Sequence, residues 1–514
     1  MKKLLLFSLM LMMFENIWAK NLTPGIEPVP VGEWGLDDAN NLGRYEQQTQ
    51  TISSFRTKPY IQNVTPTSAT IMWESDASKP GTVSYGTSAS YGKSVTATVT
   101  PSGANTYIQK AVLPSLQEST TYYFQAITDG ISAQEQTLKT ATTNVDMPFK
   151  VGIWGDSHYL NPFSAMASYM VNNLNVDFCV TSGDISNKGN DILDLRTVFM
   201  PVVLDIIGSK VPFYESFGNH DVNVAYKNGD LIRKYVDQPT EYNSDISKVS
   251  GSYAYVYGNS VFITIDWTHY EADIAPGGWL ETFLKSPVSR QAKFRFVFIH
   301  CPPFFERWQF EEKSVIKTNI PLLSKKYGVT AVFSGHMHGY ERGVLDGVQY
   351  ITQGGASYLD INESVGPTIY PHIVVGTNKP GNPANFNDGL MNHLLTLEIT
   401  STTATCKLHY FDALGNYIGV IESVEMTPRN SESTDTSLPD ELGFSVFPSP
   451  TKGIFKISAP ENSNVTVFNL QGKKVFGKYN ISLNNEINLS YLSQGLYLLK
   501  LKAGKKELTK TIVI

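Results

Sequence analysis

Thiols are scarce in this chain: 514 residues contain three cysteines, Cys179, Cys301 and Cys406, far apart and without a Cys-x-x-Cys pair. That spacing gives neither a disulfide framework nor a zinc finger. Cys179 sits inside the apolar run VDFCV and reads as a core residue, and Cys301 as a packing residue. Charge imbalance is also small. The net charge is −6, with no extended basic block in the central part of the chain. Nucleic-acid binding is therefore not expected, although a nucleotide substrate is compatible with such a surface. Long apolar runs are missing too. The stretch Leu4–Phe14 follows Lys2 and Lys3 and precedes Ala19, and it is well short of the roughly twenty residues that cross a bilayer. Residues 1–19 read as a signal peptide with cleavage near Ala19, and no transmembrane segment is expected.

What the chain does have is aromatic content (12%, with 27 Tyr) and many short β-like runs, the composition of an exported globular protein. Its length suggests about three domains. Residues 20–52 lack periodicity and read as an extended segment. Residues 53–142 hold alternating runs such as ATIMWES and TYYFQAIT between turn signals, an all-β sandwich pattern. From 147 to 426 apolar strands (KVGIWG, DFCVTSG, VPFYESFG, FRFVFIH, TAVFSG, QYITQGG) alternate with amphipathic stretches, notably Ala165–Leu174 and Leu193–Ile207. Alternation of this kind predicts a layered α/β domain. Residues 427–442 are polar and read as a linker. Residues 443–514, Lys-rich and turn-punctuated, read as a third, all-β domain.

Nine histidines are few for this length, yet two stand together in VFSGHMHGYER, as His336 and His338. Side chains two apart on extended backbone point the same way. Four more strand ends carry polar donors: Asp156 and His158 in GDSH, Asp184 in GD, Asn219, His220 and Asp221 in GNHD, and His300 in IHCPP. Ligands bind beyond the carboxyl ends of strands in open α/β sheets, so these loops should converge. Glycine precedes the polar residue in four of the five, allowing a sharp turn. Donors restricted to O and N suit Mn, Fe or Zn. Competing readings of His-x-His fail: a metallo-β-lactamase-type site wants Asp where Tyr340 stands, and neither paired cysteines nor His-Glu-x-x-His is present. His269, His372, His393 and His409 read as structural.

The ordered set D-x-H, GD, GNHD, H and GH-x-H resembles the calcineurin-like metallophosphoesterase superfamily. GHMHGYER and the sandwich at 53–142 are most similar to the purple acid phosphatases, whose N-terminal domain is fibronectin type III-like. The resemblance implies a central α/β metallophosphoesterase sandwich with two metal ions. Asp156, His158, Asp184 and His338 would hold one, and Asp184, Asn219, His300 and His336 the other. A metal-bound hydroxide would attack phosphomonoesters. His220 would sit by the phosphate, stabilising its charge or protonating the leaving oxygen, Asp221 would orient its ring, and Arg342 would bind substrate or pair with a carboxylate. The alternatives implied are a phosphodiesterase acting on nucleotides or phospholipid head groups, or an inactive surface-displayed binding protein.

Two positions depart from the purple subfamily. Its GD-x-x-Y tyrosinate is replaced in Gly183-Asp184-Ile185-Ser186-Asn187, and His158 stands where it has Gly. Losing the phenolate and gaining an imidazole favours divalent ions over ferric iron. A colourless site with a neutral-to-alkaline pH optimum is expected. The segments VFPSPTKGIFKI, VTVFNLQGKKV and LSQGLYLLKLKAGKKELTKTIVI resemble the C-terminal sorting domain of type IX secretion. That resemblance implies the type IX machinery as partner, and release or attachment at the cell surface.

Overall fold

The computed structural model describes residues 55–430 apart from 104, 159, 223–229, 245–250, 308–312, 363–364, 366–369, 371, 378, 380–381 and 385. Of the C-terminal part it describes 445–447, 454–458, 463–469, 472–481, 485–493, 495–503 and 506–513. The signal peptide expected at 1–19, the extended segment at 20–52 and positions 431–442 of the expected linker lie outside the described residues.

The N-terminal sandwich consists of two antiparallel sheets. One orders Tyr60–Gln62, Ala69–Ser75, Tyr107–Leu113 and Thr98–Pro101. The other orders Lys93–Thr96, Thr82–Gly86, Thr121–Thr128 and Ile131–Ser132, with Gln136–Lys139 also paired to Thr121–Thr128. Alternation fixes which face is inward: in Thr121–Thr128 every second residue, from Tyr122 on, is buried.

Two sheets form the centre of the next domain. The six-stranded one runs Phe213–Glu215, Phe178–Thr181, Phe149–Trp154, Asn392–Ile399, Ala404–Phe411, Tyr417–Met426, its first three strands parallel. The eight-stranded one holds a parallel block, Ser260–Ile265, Phe294–Ile299, Ala331–Ser334 and Val348–Gln353. An aromatic layer joins the sheets: Phe149 lies 4.7 Å from Tyr257, Phe178 lies 5.2 Å from Phe262, and Tyr214 stacks on Tyr255 at 4.0 Å. Strands buried on both faces cannot alternate, which is why these read as continuous apolar runs.

Helices cover the outer faces. Leu160–Asn173 buries Phe163, Met166, Ala167 and Met170, one stripe at helical spacing, with Trp154 and Cys179. Ser314–Lys326 does the same with Ile316, Ile320 and Leu323, and Lys325 and Lys326 suit its C-terminal dipole. The stretch expected as a helix at 193–207 is wound as a short α-turn, Ile192–Asp194, followed by a π-helix, Leu195–Gly208. Pro201 within it has no N–H to give to a regular ladder.

The sandwich is not a separate bead. Tyr60, Met72 and Ile108 are buried in the same cluster as Phe199, Leu204 and Phe213 of the central domain. Polar contacts cross as well. The Lys58 amide donates to Asp205 at 2.7 Å, the Tyr214 hydroxyl to the Val64 carbonyl at 3.2 Å, and the Thr70 hydroxyl to Asp237 at 2.6 Å.

The expected linker begins later than residue 427 suggests. Arg429 donates to the Asp346 carbonyl at 2.7 Å, and its own carbonyl accepts from Arg295 at 2.9 Å. The C-terminal domain has a three-stranded and a four-stranded antiparallel sheet with its own core of Val465, Val467, Ile487, Leu489, Leu499 and Leu501. Among the described residues, no helix is long and apolar enough to cross a membrane.

Candidate metal centre

The parallel strands of both sheets deliver their carboxyl ends to one edge. Trp154 leads into Asp156 and His158, Thr181 into Asp184, Glu215 into Asn219 and His220, Ile299 into His300, and Ser334 into His336 and His338. Three of these residues, Asp156, Asp184 and His336, have left-handed backbone, with φ of 59°, 53° and 67°. Non-glycine residues held there store strain, which is tolerated where side-chain aim matters. Glycines make the close approach possible: a Cβ on Gly335 would lie 2.2 Å from an Asp156 carboxylate oxygen, and one on Gly218 2.2 Å from Asp184 Oδ1.

Two groups of donors result, Asp156, His158 and His338 in one and Asp184, His300 and His336 in the other. All six are buried, and ligand atoms within each group lie within 4.8 Å of one another. In the first, His158 Nε2 and His338 Nε2 are 3.3 Å apart, and His338 Nε2 is 3.4 Å from Asp156 Oδ1. In the second, His300 Nε2 is 3.2 Å from Asp184 Oδ2 and 3.3 Å from His336 Nδ1. Asn219 Oδ1 joins that group, 3.0 Å from His300 Nε2 and 3.1 Å from His336 Nδ1. Ring nitrogens and carboxylate oxygens that converge on common points, with no thiolate, fit two metal ions.

The electrostatics agree. Burial works against charge on His300 and His338. Even so, Asp184 lifts His300 to about 9, and hydrogen bonds to Asp156 and Asp360 lift His338 to about 10. Burial pushes His158 and His336 well below the ordinary histidine range. For Asp184, burial is outweighed by the charges of His300 and His220, which hold its carboxyl far down. Buried carboxylates of this kind require cationic partners, and metal ions replace the protons when they bind.

Second contacts fix the rings. The Ser182 carbonyl lies 2.9 Å from His300 Nδ1, so this nitrogen carries the hydrogen and Nε2 is left for a cation. Asp360 performs the same service for His338, 2.9 Å from Nδ1, while its other oxygen accepts the His338 amide at 2.7 Å. Asp360 was not among the residues expected from sequence. It lies in an irregular loop 22 positions beyond His338, with no strand-end signal. Asp360→Asn is expected to weaken metal retention about 10- to 100-fold, read by competition with a chelator, with an unchanged circular dichroism spectrum.

One sequence expectation needs correction, and for Arg342 the carboxylate pairing left open above is the contact found. Asp221 does not orient the His220 ring. Its carboxylate instead accepts the amides of Asp184, Ile185, Ser186 and Gly218 and the Ser186 hydroxyl, at 2.8–3.0 Å, pinning the turn that carries Asp184. Burial and Asp184 push Asp221 up to about 7 against those donors. His220 Nδ1 faces the Asn187 carbonyl at 3.1 Å, and the His220 ring lies 4.7 Å from that of His158. Arg342 is committed elsewhere, to Glu422 at 2.7 Å and Gln349 at 3.1 Å. It shares its strand face with Tyr340, which also donates to Glu422, while Glu341 between them faces away and accepts the Glu306 amide.

His393 and His409 are buried, bonded to the Met391 carbonyl and the Thr396 hydroxyl, and lowered by burial to about 4. Half-buried Trp267 also stands at a strand end that was not singled out from sequence. It comes after the buried strand Ser260–Ile265 and Asp266, so the strand-end pattern that flagged the other loops was present there too.

Comparison with known proteins agrees with this arrangement. Residues 149–340 match the family model of calcineurin-like phosphoesterases. Residues 56–140 match the purple acid phosphatase N-terminal domain, and residues 445–514 match the secretion system C-terminal sorting domain. Over 351 residues the chain is 26% identical to probable purple acid phosphatase 20 of Arabidopsis thaliana, covering 65% of this chain and 77% of that protein. The structure of purple acid phosphatase PPD1 from yellow lupin (Lupinus luteus) seeds aligns with a TM-score of 0.56 at 17% identity, over 72% of this chain and 74% of that one. PhoD aligns with a TM-score of 0.52 at 10% identity, over 82% and 92%. The two structural likenesses show a shared fold.

Proposed function

We propose that this purple acid phosphatase-like metallophosphoesterase is exported through type IX secretion, released or held at the cell surface, and hydrolyses phosphomonoesters at a dinuclear site. The observation that carries the reading is the convergence of two buried donor groups, Asp156, His158 and His338 beside Asp184, His300 and His336. Asp156, His158, Asp184 and His338 would hold one ion, and Asp184, Asn219, His300 and His336 the second. Bound there, two divalent cations would supply Lewis acidity for the phosphate ester and its attacking water. The protein's own contribution is placement. Asp184 would serve both ions, since its carboxylate faces His300 directly while its charge also acts on His158. His220 is held through Nδ1 by an acceptor-only carbonyl, which leaves Nε2 to face the phosphate, where a protonated ring would stabilise its charge or protonate the leaving oxygen.

A colourless, divalent site is supported by the two departures from the purple pattern, because they meet in space. Asn187, at the position of the missing tyrosine, holds His220 through its carbonyl, and the His220 ring lies 4.7 Å from that of His158, the added imidazole. A site lacking phenolate and gaining nitrogen favours divalent ions and a less acidic water, hence a neutral-to-alkaline optimum. The test is hydrolysis of matched aryl monoester and diester substrates by the full chain, with Mn, Zn or Fe restored after chelation. Monoester turnover with no visible charge-transfer band is the expected result. A diester preference would replace monoesters by diesters as substrates. Absence of turnover in folded, metal-loaded protein would overturn the enzymatic reading.

A further inference from the structure

We propose that Trp267 is the platform on which the substrate's leaving group rests, and that the site prefers phosphoesters with a planar aromatic leaving group. The inference builds on the phosphoesterase reading above. Trp267 occupies the loop beyond Ser260–Ile265, at the same sheet edge as the metal-site loops. Its ring centroid is 5.7 Å from that of His300 and 6.0 Å from that of His336. It is only half-buried, and Tyr270, 5.2 Å away, continues the aromatic surface.

The ring is held stiffly. It packs against the apolar clusters on both sides of the domain. The preceding Asp266 is buried and takes a two-pronged contact from buried Arg233, at 2.6 and 3.0 Å, as well as the Thr268 amide at 2.9 Å. A locked aromatic ring with an accessible part binds a planar partner at little entropic cost. A second aromatic stands by the other donor group: Tyr358 is 44% exposed, and its ring lies 5.5 Å from His338 at 89°. With the phosphoryl group seated on the two donor groups, in-line displacement would send the leaving oxygen away from them. The group attached to that oxygen must therefore pass this aromatic rim. An aliphatic side chain would pack the histidines equally well, so packing alone does not call for a half-exposed indole.

The test uses the metal-loaded full chain, Trp267→Leu and Trp267→Phe, with metal content measured for each. Affinities for phenylphosphonate and methylphosphonate, which are not hydrolysed, are read by calorimetry. Turnover is compared for phenyl phosphate, adenosine 5′-monophosphate and glycerol 2-phosphate. Wild type is expected to favour phenyl- over methylphosphonate by about tenfold or more, with Trp267→Leu losing most of that ratio and Trp267→Phe keeping part of it. Turnover ratios of aromatic over glycerol substrates should fall in the same order. Loss for phenyl phosphate alone assigns a single-ring subsite, and loss for both aromatic substrates extends it to nucleotides. An unchanged phosphonate ratio, or equal losses for both phosphonates, would overturn the proposal. Preferential phenylphosphonate binding without turnover of any ester would instead count against the phosphoesterase reading and leave the aromatic subsite standing.

Discussion

Asp184→Asn is expected to lower kcat/KM for phosphoester hydrolysis by about 10³-fold or more, in a protein that still folds. The carboxylate faces His300 directly and is within electrostatic reach of His158, so its charge acts on both donor groups. An amide is nearly the same size and can still accept the His220 amide hydrogen, as Asp184 Oδ1 does at 2.9 Å. What it cannot provide is negative charge between two cations, whose mutual repulsion then opposes joint binding. Metal content per chain should fall towards one, while the unfolding midpoint of chelated protein should change little. The measurement pairs kcat/KM at saturating Mn with elemental analysis. Activity within tenfold of wild type with two ions bound would sink the bridging role of Asp184, and the same activity with one ion bound would sink the dinuclear mechanism.

The donors in these loops were readable because their signal is local: a buried strand is a short apolar run, and the residues just past its end land at the sheet edge. That logic led to Asp156, Asp184, Asn219, His300, His336 and His338, and the same logic applied to ITIDW would have led to Trp267. It had no purchase on Asp360, which reaches His338 from irregular chain, or on the partner of Arg342. Strand pairing decides such contacts, and Glu422 is 80 residues away in sequence. The role expected of Asp221 failed for a related reason. Adjacency to His220 suggested a contact, but a carboxylate buried among free amides is captured by the backbone that needs an acceptor. The sandwich at 53–142 was legible as strands. Its hold on the neighbouring domain was not, because Tyr60, Met72 and Ile108 look like any other strand residues until their partner surface is known.

That hold is strong enough to predict that residues 147–426 will not form a stable protein without the sandwich. Tyr60, Met72 and Ile108 are at most 2% exposed within a cluster shared with the helical layer. Burying side chains of this size contributes about 1.5–3 kcal/mol each, so separation forfeits on the order of 5–9 kcal/mol. The whole stability of a typical domain is roughly 5–15 kcal/mol. Polar contacts add to the loss. Glu74 in the sandwich is fully buried and accepts from Arg196 at 3.2 Å and from the Tyr235 hydroxyl at 3.2 Å, both from the central domain. Expression of 147–426 alone should therefore give insoluble or molten material, while 53–430 should melt in one cooperative step. A single substitution tests the same interface more gently. Arg196→Met removes the cationic partner of Glu74, leaving a buried carboxylate with neutral donors only, and should cost about 2–3 kcal/mol in urea unfolding. The cost stays below the roughly 3–5 kcal/mol of breaking a fully buried pair because the Arg196 side chain is one-third exposed (33%) and its site stays open to water. Arg196 lies outside the donor groups, so kcat/KM should stay within about twofold of wild type at temperatures well below the transition. A soluble 147–426 fragment with two metals and full activity would show that the shared core is dispensable, and that burial had been counted as cohesion where it was only contact.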